Sequence, residues 1–490
     1  MKKITLLLTV LLLLLHAGHA VAGNTATTLV KVSETMTSTL SSIIGKGLPV
    51  VYVTTVDNEE PVCEIVYAPA GSWGSTINSE KVPGRMLIYN RVDGVDSVLY
   101  DSGDYEKDVS GMTIKVRGNT SAKGERKPYK LKLQKKSDLL MRGVDSVYKD
   151  KEWLLLKDDN LYNMTGFNVS RLVGMKWVPG RRFVNVVLNN EYRGIYLLTE
   201  SVKRNPKCRL DVDKDWGFIF ENDVYWWNEP VYVISPANHP SYNYTFKYPD
   251  EDEITEDQLA YTRGLVSRFE SSQVDGSYPD VIDVKSFASW CLVHDLMGIK
   301  DGGGCNRYYT KYDTTAASKI FMPVAWDFDM AERTSSAWSR CHTVYMARLF
   351  ASSNRAYVNE YVRQWCLLRD SFLEDVNQFY EEFVNSDEGR GLSSSYYFCN
   401  VVWNQNLWSD YLLQWRHDWL VARYEWLDTN IMALHVPNDV NVDGVVNIGD
   451  VTSLIGMLLG NTRQMVTGDI TGDGDINISD VTALINQLLK

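Results

Sequence analysis

Cysteine and histidine are scarce in this chain, and neither is spaced for metal or redox chemistry. The seven cysteines (Cys63, Cys208, Cys291, Cys305, Cys341, Cys366 and Cys399) form no CxxC pair and no zinc-ligand pattern, which excludes a zinc module and a thioredoxin-type motif. Their odd total leaves at least one thiol over, however many of the others cross-link. Five of the seven histidines follow residue 22, none paired at ligand spacing. Neither HExxH nor GxSxG occurs, which removes the common metalloprotease and serine-hydrolase readings. Positive charge is in deficit, with 50 Lys and Arg against 62 Asp and Glu and a net charge of −12, so nucleic acid is not an expected partner. Long apolar runs are lacking as well: beyond the N-terminal segment none is long enough to span a bilayer, and no membrane span is expected.

That N-terminal segment reads as an export signal. Lys2 and Lys3 precede an apolar run over residues 4–15, and the small Ala20 and Ala22 follow at cleavage spacing. A signal peptide is expected over residues 1–22, and with it a secreted chain, free or held at a cell surface or scaffold. With 44% hydrophobic residues and 15 Trp the remainder has ample material for a core. Its length suits one large or two-lobed domain plus a small module.

The C-terminal region contains one pattern twice. Asp439, Asn441, Asp443, Asn447 and Asp450 place oxygen-bearing side chains at positions 1, 3, 5, 9 and 12 of a twelve-residue loop, with Gly444 at position 6. Asp469, Thr471, Asp473, Asn477 and Asp480 repeat the arrangement around Gly474, and Val445 and Asp475 hold position 7. Ca2+ is a hard cation that takes about six to eight oxygens, and the Gly supplies the sharp turn that lets them converge. Each loop runs into a similar apolar helix, over residues 451–459 and 481–489. The duplicated pattern resembles a type I dockerin over residues 438–490, a small all-α calcium-binding module. The resemblance implies Ca2+ as structural ion and a cohesin-bearing scaffold as partner; the plainer alternative is a calcium-stabilised spacer. Position 12 is Asp in both loops, a shorter arm than Glu, and Thr471 is a weaker ligand than Asn441, so the second loop is expected to bind Ca2+ less tightly. Protonated carboxylates do not bind the ion, so the module is expected to be sensitive to EDTA and to acid.

Residues 48–430 form the expected central domain. Strands are expected over residues 49–55, 112–117 and 127–133, the last alternating charged and apolar residues with period two. Residues 183–188 and 192–199 read as a hairpin across Asn189-Asn190. After about residue 252 the pattern turns helical, with long aromatic-rich stretches at 286–297, 361–383 and 407–427. A β-rich first half and a helical second half give an α+β class, read as two lobes with a cleft between them. The linker over residues 431–438 is short and carries Pro437, so limited swing is expected.

Three blocks in this domain can carry chemistry. Arg117-Gly-Asn-Thr-Ser121, followed by Lys127 and Lys130 on the returning strand, is suited to holding phosphates with backbone N–H groups and fixed positive charge. Asp301-Gly-Gly-Gly-Cys-Asn306 joins a carboxylate and a carboxamide by a tight glycine path. Trp326-Asp327-Phe-Asp329 ends an apolar approach in two acids, which point the same way on an extended stretch and can share a divalent ion. An Asp, an Asn five residues on and a later Asp-Phe element follow the order of parts in a protein-kinase active site. The usual kinase signatures (GxGxxGxV, VAIK, His-Arg-Asp, Ala-Pro-Glu) are otherwise missing. His294-Asp295 lies inside a helical apolar run and reads as a structural pair, not a general base.

Lys115-Val-Arg-Gly-Asn-Thr-Ser121, Lys127-Pro-Tyr-Lys-Leu-Lys132, Trp153-Leu-Leu-Leu-Lys157, the hairpin from Arg182 to Glu200 and Pro323-Val-Ala-Trp-Asp-Phe-Asp329 together resemble the CotH-type (spore-coat) atypical protein kinases, over about residues 48–430. The resemblance implies a two-lobed kinase-like fold that moves the γ-phosphoryl group of ATP, with Mg2+ or Mn2+, to Ser or Thr of secreted or surface proteins, polysaccharide-associated proteins among them. On that basis Asp301 is the catalytic residue, and Asn306, Asp327 and Asp329 are the Mg2+ ligands. Arg117, Glu200 and either Lys127 or Lys130 contact ATP. Two local departures, the Gly302–Gly304 run and a small insertion at residues 313–318, set against this a second reading. In it the fold is a catalytically inactive binding module on the scaffold, gripping its target through aromatics such as Trp226, Trp227 and Trp403. Nucleotidyl transfer on the same fold is a third reading.

Overall fold

The computed structural model describes residues 34–72, 74–143, 145–236, 243–299, 306–339, 344–404 and 409–490, the side chains of residues 34–38, 409 and 410 excepted. The expected signal peptide and Asp301 with its glycine run lie outside the described residues.

A helix, α1 (Glu34–Ile44), leads into β1 (Val50–Thr55), and a small hairpin of β2 (Glu64–Tyr67) and β3 (Ser75–Asn78) follows. Next come β4 (Val82–Val92), β5 (Val95–Asp101), β6 (Met112–Val116), β7 (Tyr129–Ser137) and β8 (Asp150–Leu156). Helix α2 (Tyr162–Val173) separates these from the hairpin β9 (Arg181–Leu188) and β10 (Glu191–Glu200). Period-two alternation decides which side is buried: Met112, Ile114 and Val116 of β6 and Tyr129, Leu131 and Leu133 of β7 point inward, while Lys132 points out. The Asn189-Asn190 turn has φ of +48° and +65°, the left-handed pair that a two-residue hairpin turn requires. Hydrogen bonding runs β1-β9-β10-β8-β7-β6-β4, and β4 also pairs with β1, so the β-rich half closes into a barrel with β5 added outside it. The β1–β9 pairing is parallel and every other one is antiparallel. Closure removes the free edges that an open sheet would expose. Trp153, Leu155, Val184, Val186 and Tyr196 help fill the interior.

The second half opens with a four-stranded antiparallel sheet of β11 (Phe218–Asp223), β12 (Tyr232–Val233), β13 (Asn243–Tyr248) and β14 (Arg307–Lys311), in the order β12-β13-β11-β14. The helical part comprises α3 (Glu256–Asp275), α4 (Val284–Met297), α5 (Val344–Ala351), α6 (Ala356–Asn385), α7 (Asp387–Trp403) and α8 (Ser409–Met432). Thr255 and Gln258 form a capping box at α3, and Asp283 caps α4 by accepting from the Ser286 N–H. From Ser286 onward α4 is buried on all sides, which explains its apolar run. Within it His294 stacks on Trp290 with ring centroids 3.6 Å apart, and its Nδ1 meets the Trp290 carbonyl at 2.8 Å. Burial drives its pKa down to about 3. Asp295 accepts from the Tyr361 hydroxyl at 2.8 Å and the Ser339 N–H at 2.7 Å. The pair is structural, as its apolar setting implies.

The calcium-loop module has two helices, α9 (Ile448–Leu458) and α10 (Ile478–Leu488). Its Val440, Val442, Leu454 and Leu484 are buried in one continuous core with the helical half. The Arg355 guanidinium donates to the Leu434 carbonyl at 2.8 Å, and Gly444 backs onto Asn359 of α6 with no room for a side chain between them. Trp226, Trp227 and Trp403 are half-buried and are not the exposed grips expected of a binding surface. Trp226 packs on Tyr232 at 4.7 Å, and the Trp403 indole donates to the Arg193 carbonyl at 2.9 Å. The five described cysteines carry free thiols, and among the described residues no helix is long and apolar enough to cross a membrane.

Candidate active site and calcium loops

The strand pair β6–β7 is joined by residues 117–128, a loop held in place at both ends. The Arg117 N–H donates to the Pro128 carbonyl at 3.0 Å, and Thr76 on β3 donates its hydroxyl to Asn119 at 2.6 Å. Gly118 sits at φ +92°, a conformation a side chain would strain. Beneath this loop lies a pocket of about 240 Å3 lined by Arg117, Ser121, Lys157, Asp159, Asp327 and Asp329 among others. The Arg117 side chain makes no hydrogen bond or ion pair among the described residues.

Lys157 directly follows β8 and donates to the Ser121 carbonyl at 2.9 Å. Burial lowers its pKa, Arg126 and Lys127 act the same way, and Asp159 and Asp329 oppose. The next residue, Asp158, is buried, and its carboxylate takes the free N–H groups of Asn163 and Met164 at the start of α2 at 2.8 and 3.0 Å. Burial outweighs those bonds and pushes its pKa up to about 6. The Asn163 side chain in turn accepts from the Phe328 N–H at 3.3 Å, so the start of α2 and the Asp327–Asp329 turn are tied together.

Asp327 has φ +63°, which corrects the expectation of an extended stretch. The cause is Phe328: its ring is buried against α2, edge-on to Phe167 at 5.9 Å, in space that exists because residue 166 is Gly. The chain turns to bury it, and Asp327 and Asp329 both reach the pocket by that turn.

Asn306 lies beside a neighbouring polar group. Its N–H donates to Glu221 of β11 at 2.8 Å, and Glu221 pairs with Lys247 at 3.2 Å. Burial first and Glu221 second raise the pKa of Asp223 to about 7. Lys130 belongs to this group and not to the pocket lining: it pairs with Glu152 at 2.8 Å, and burial still lowers its pKa. Lys127 turns back to donate to the Ala122 carbonyl at 2.8 Å. The Thr310–Phe321 bridge returns the chain antiparallel to β14, so the segment ending in Asp327 runs back toward the end at which Asn306 stands. Glu200 is elsewhere: it accepts from Arg142 at 2.7 Å and from the Gly180 N–H at 2.8 Å, in the wall of a second cavity. The structure thus gathers Arg117, Asp327 and Asp329 in one pocket and places Lys130 and Glu200 outside it.

Lys157 ends the Trp153-Leu-Leu-Leu-Lys157 block of the family resemblance without an assigned role there, and Asp158, Asp159 and Asn163 belong to none of the blocks. The available signal was a Lys-Asp-Asp-Asn run between a strand and a helix, where polar groups face a helix N-terminus. Among the described residues no three Asp, Glu, His or Cys side chains converge as a metal cage. Mg2+ is compatible with that, because it is commonly held by one or two carboxylates together with substrate phosphates; Asp327 and Asp329 offer such a pair.

The two calcium loops have near-identical geometry. Asp439 accepts from the N–H groups of Asp443 and Gly444 at 3.1 and 2.6 Å, and Asp469 from Gly472, Asp473 and Gly474 at 2.7, 3.2 and 2.9 Å. Asp450 and Asp480 fold back onto Asn447 and Asn477 in matching capping boxes at α9 and α10. Gly444 and Gly474 sit at φ +95° and +90°. Position 4 is left-handed in both, Val442 at +58° and Gly472 at +73°, so the first loop accepts strain at a β-branched residue that the second avoids. In the second loop the Thr471 hydroxyl donates to Asp480 at 3.1 Å. The donor set is carboxylate, carboxamide and carbonyl oxygen, with the Thr471 hydroxyl at position 3 of the second loop, all oxygen ligands of the kind Ca2+ takes.

Comparison with known proteins agrees with this layout. The CotH kinase protein family matches residues 114–387, and the type I dockerin domain matches residues 437–489. No curated protein matches the chain. With more than half of its length matched, the chain belongs to the CotH kinase protein family and ends in a type I dockerin domain, whose implied partner is a cohesin.

Proposed function

We propose that this is an exported protein kinase that transfers the γ-phosphoryl group of ATP to Ser or Thr of secreted or surface proteins while attached to a cohesin-bearing scaffold. One observation carries the reading: Arg117, Lys157, Asp327 and Asp329, from distant parts of the chain, line a single pocket beneath a loop between two strands. In this reading the barrel is the first lobe and the helical half the second. Arg117 and Lys157 hold the phosphates as fixed cations, and the 117–128 loop covers them. Mg2+ bound there would neutralise phosphate charge, with Asp327 and Asp329 as its protein oxygens. The acceptor hydroxyl oxygen forms the new bond to phosphorus as the bond to ADP breaks, and Asp301 takes the hydroxyl proton.

Attachment is supported by an exposed apolar ridge that occurs twice. Ile448, Ile455 and Leu459 and their counterparts Ile478, Ile485 and Leu489 are all exposed at matching positions of the two copies. Apolar side chains repeated in this way serve a partner and not the module's own core.

The test incubates the full chain with labelled ATP, Mg2+ or Mn2+ and a Ser-rich acceptor, beside Asp327→Ala. Label on the acceptor or the chain, lost in the variant, is the expected result. Absence of label together with absence of a nucleotide-dependent thermal shift overturns the kinase reading.

A further inference from the structure

Phe328 stands between the two acids of the pocket and is held at two points. Its ring is buried against Phe167 and Gly166 of α2. Its N–H donates to the side-chain oxygen of Asn163, in the first turn of the same helix, at 3.3 Å. The Asn163 amide is held at its other end as well, where the nitrogen donates to Asp158 at 3.3 Å. An ionised carboxylate only accepts, so Asp158 draws the amide nitrogen toward itself and leaves the oxygen facing Phe328. Asp158 also takes the N–H groups of Asn163 and Met164, a place that Leu161 at the N-cap leaves open for want of a polar side chain. Phe328, Asn163 and Asp158 are all buried, which leaves the three little room for another arrangement.

We infer that Asn163 is a positioning residue for the two acids: through the Phe328 N–H it holds the turn on which Asp327 and Asp329 reach the pocket, and Asp158 orients it. The inference rests on the kinase reading above. Asp327 sits at φ +63°, and a residue with a side chain keeps that conformation where its surroundings over-determine it. The buried ring supplies one restraint and the bond to Asn163 the other. The peptide that joins Asp327 to Phe328 carries the bonded N–H, so this bond fixes the plane of that peptide, which packing of the ring leaves free to turn. Asn163 lines the pocket too, but its oxygen is turned to Phe328 and its amide nitrogen offers no lone pair to a cation, so it acts through the turn and not as a ligand. The place needs an acceptor and a donor on one short side chain: aspartate lacks the donor, leucine lacks both, and glutamine is longer by a methylene.

The experiment reads the metal and not turnover. Mn2+ is titrated into the full chain with a non-hydrolysable ATP analogue, with Ca2+ saturating the C-terminal loops and the pH held well above the Asp158 pKa of about 6. Bound Mn2+ is measured by water-proton relaxation, beside Asp327→Ala as the variant that abolishes binding, and a melting curve is taken for each protein. Asn163→Ala is expected to weaken Mn2+ by about tenfold or more, the usual cost of losing a group that orients a metal ligand. Should it fail to fold, the isosteric Asp158→Asn, which no longer dictates the end of the Asn163 amide that faces Phe328, is expected to cost about threefold or more. A folded variant that melts lower but binds Mn2+ as the unaltered chain does marks a merely structural role and overturns the inference. An unaltered chain with no Mn2+ binding that Asp327→Ala removes overturns the kinase reading itself, and this inference falls with it.

Discussion

The calcium loops and the pocket beneath the 117–128 loop both rely on Asp carboxylates and assemble their residues in opposite ways. Each loop draws its oxygens from one short stretch of chain, and the same hydrogen bonds recur in both copies, Asp439 to Gly444 and Asp469 to Gly474. The pocket takes Arg117 from a barrel loop, Lys157 from a strand end and Asp327 from a strained turn. Local sites depend on spacing, so they can be tested by removing the ion. Gathered sites depend on packing, so a distant methyl group can damage them.

Calcium removal tests this contrast most strongly. Because a loop without its ion loses the energy that orders it, EDTA is expected to abolish the far-UV CD signal of α9 and α10 and the binding of cohesin. The helical half should keep its own melting transition. A single shared transition would instead show that Val440, Val442 and the Asn359 contact make the two parts one cooperative unit.

Asp327→Ala is expected to lower turnover by about a hundredfold or more, measured as labelled phosphate transferred, with Ca2+ binding unchanged. Retention of near-full activity would remove Asp327 from the metal role. Gly166→Ala probes packing at a distance: the added methyl overlaps the Phe328 ring and should cost about 1–3 kcal/mol by denaturant titration. Activity should fall with it, because Phe328 sets the turn that carries both acids; unchanged activity would separate the turn from the chemistry.

The two regions also differ in the sign of their pH response. Glu332, buried against Arg416, has its pKa raised to about 7 by burial, with Arg416 opposing. The folded state therefore holds that proton more tightly than the unfolded chain does. Its contribution to stability is full below about pH 4.5 and is lost as pH rises through about 7, an effect of at most about 3 kcal/mol. The calcium loops respond the other way, weakening as acid protonates their ligands. Melting curves between pH 4.5 and 7 should show the slope for the helical half, and Glu332→Gln should flatten it. The smallest expected effect is at the second loop. Thr471→Asn, which restores the residue type of Asn441, should tighten that site by about threefold to tenfold in a calcium titration.

The α+β order, the hairpin at Asn189-Asn190 and the long helices were legible because each is written in local periodicity or turn chemistry. Barrel closure was not, since it rests on β4 meeting β1 and on the parallel β1–β9 pair, contacts between distant segments that leave no periodic mark. Glu200 illustrates the same limit. Its place at the end of a strand was readable, but its partner was not, since that depended on Arg142 folding back to it from a distant part of the chain. Lys157 shows the reverse: it ends the Trp153–Lys157 block, but its place in the pocket follows only from Ser121 and Asp329 being brought beside it.

By itself, then, the sequence determined the calcium loops, their pairing and the family. A twelve-residue loop with its own helix contains every group it needs, and duplication makes the pattern unmistakable. The tertiary structure alone decided that Asp327 and Asp329 share a pocket with Arg117 and Lys157. For the two acids the cause is burial: Phe328 must be covered by α2 at Gly166, and covering it fixes where they point.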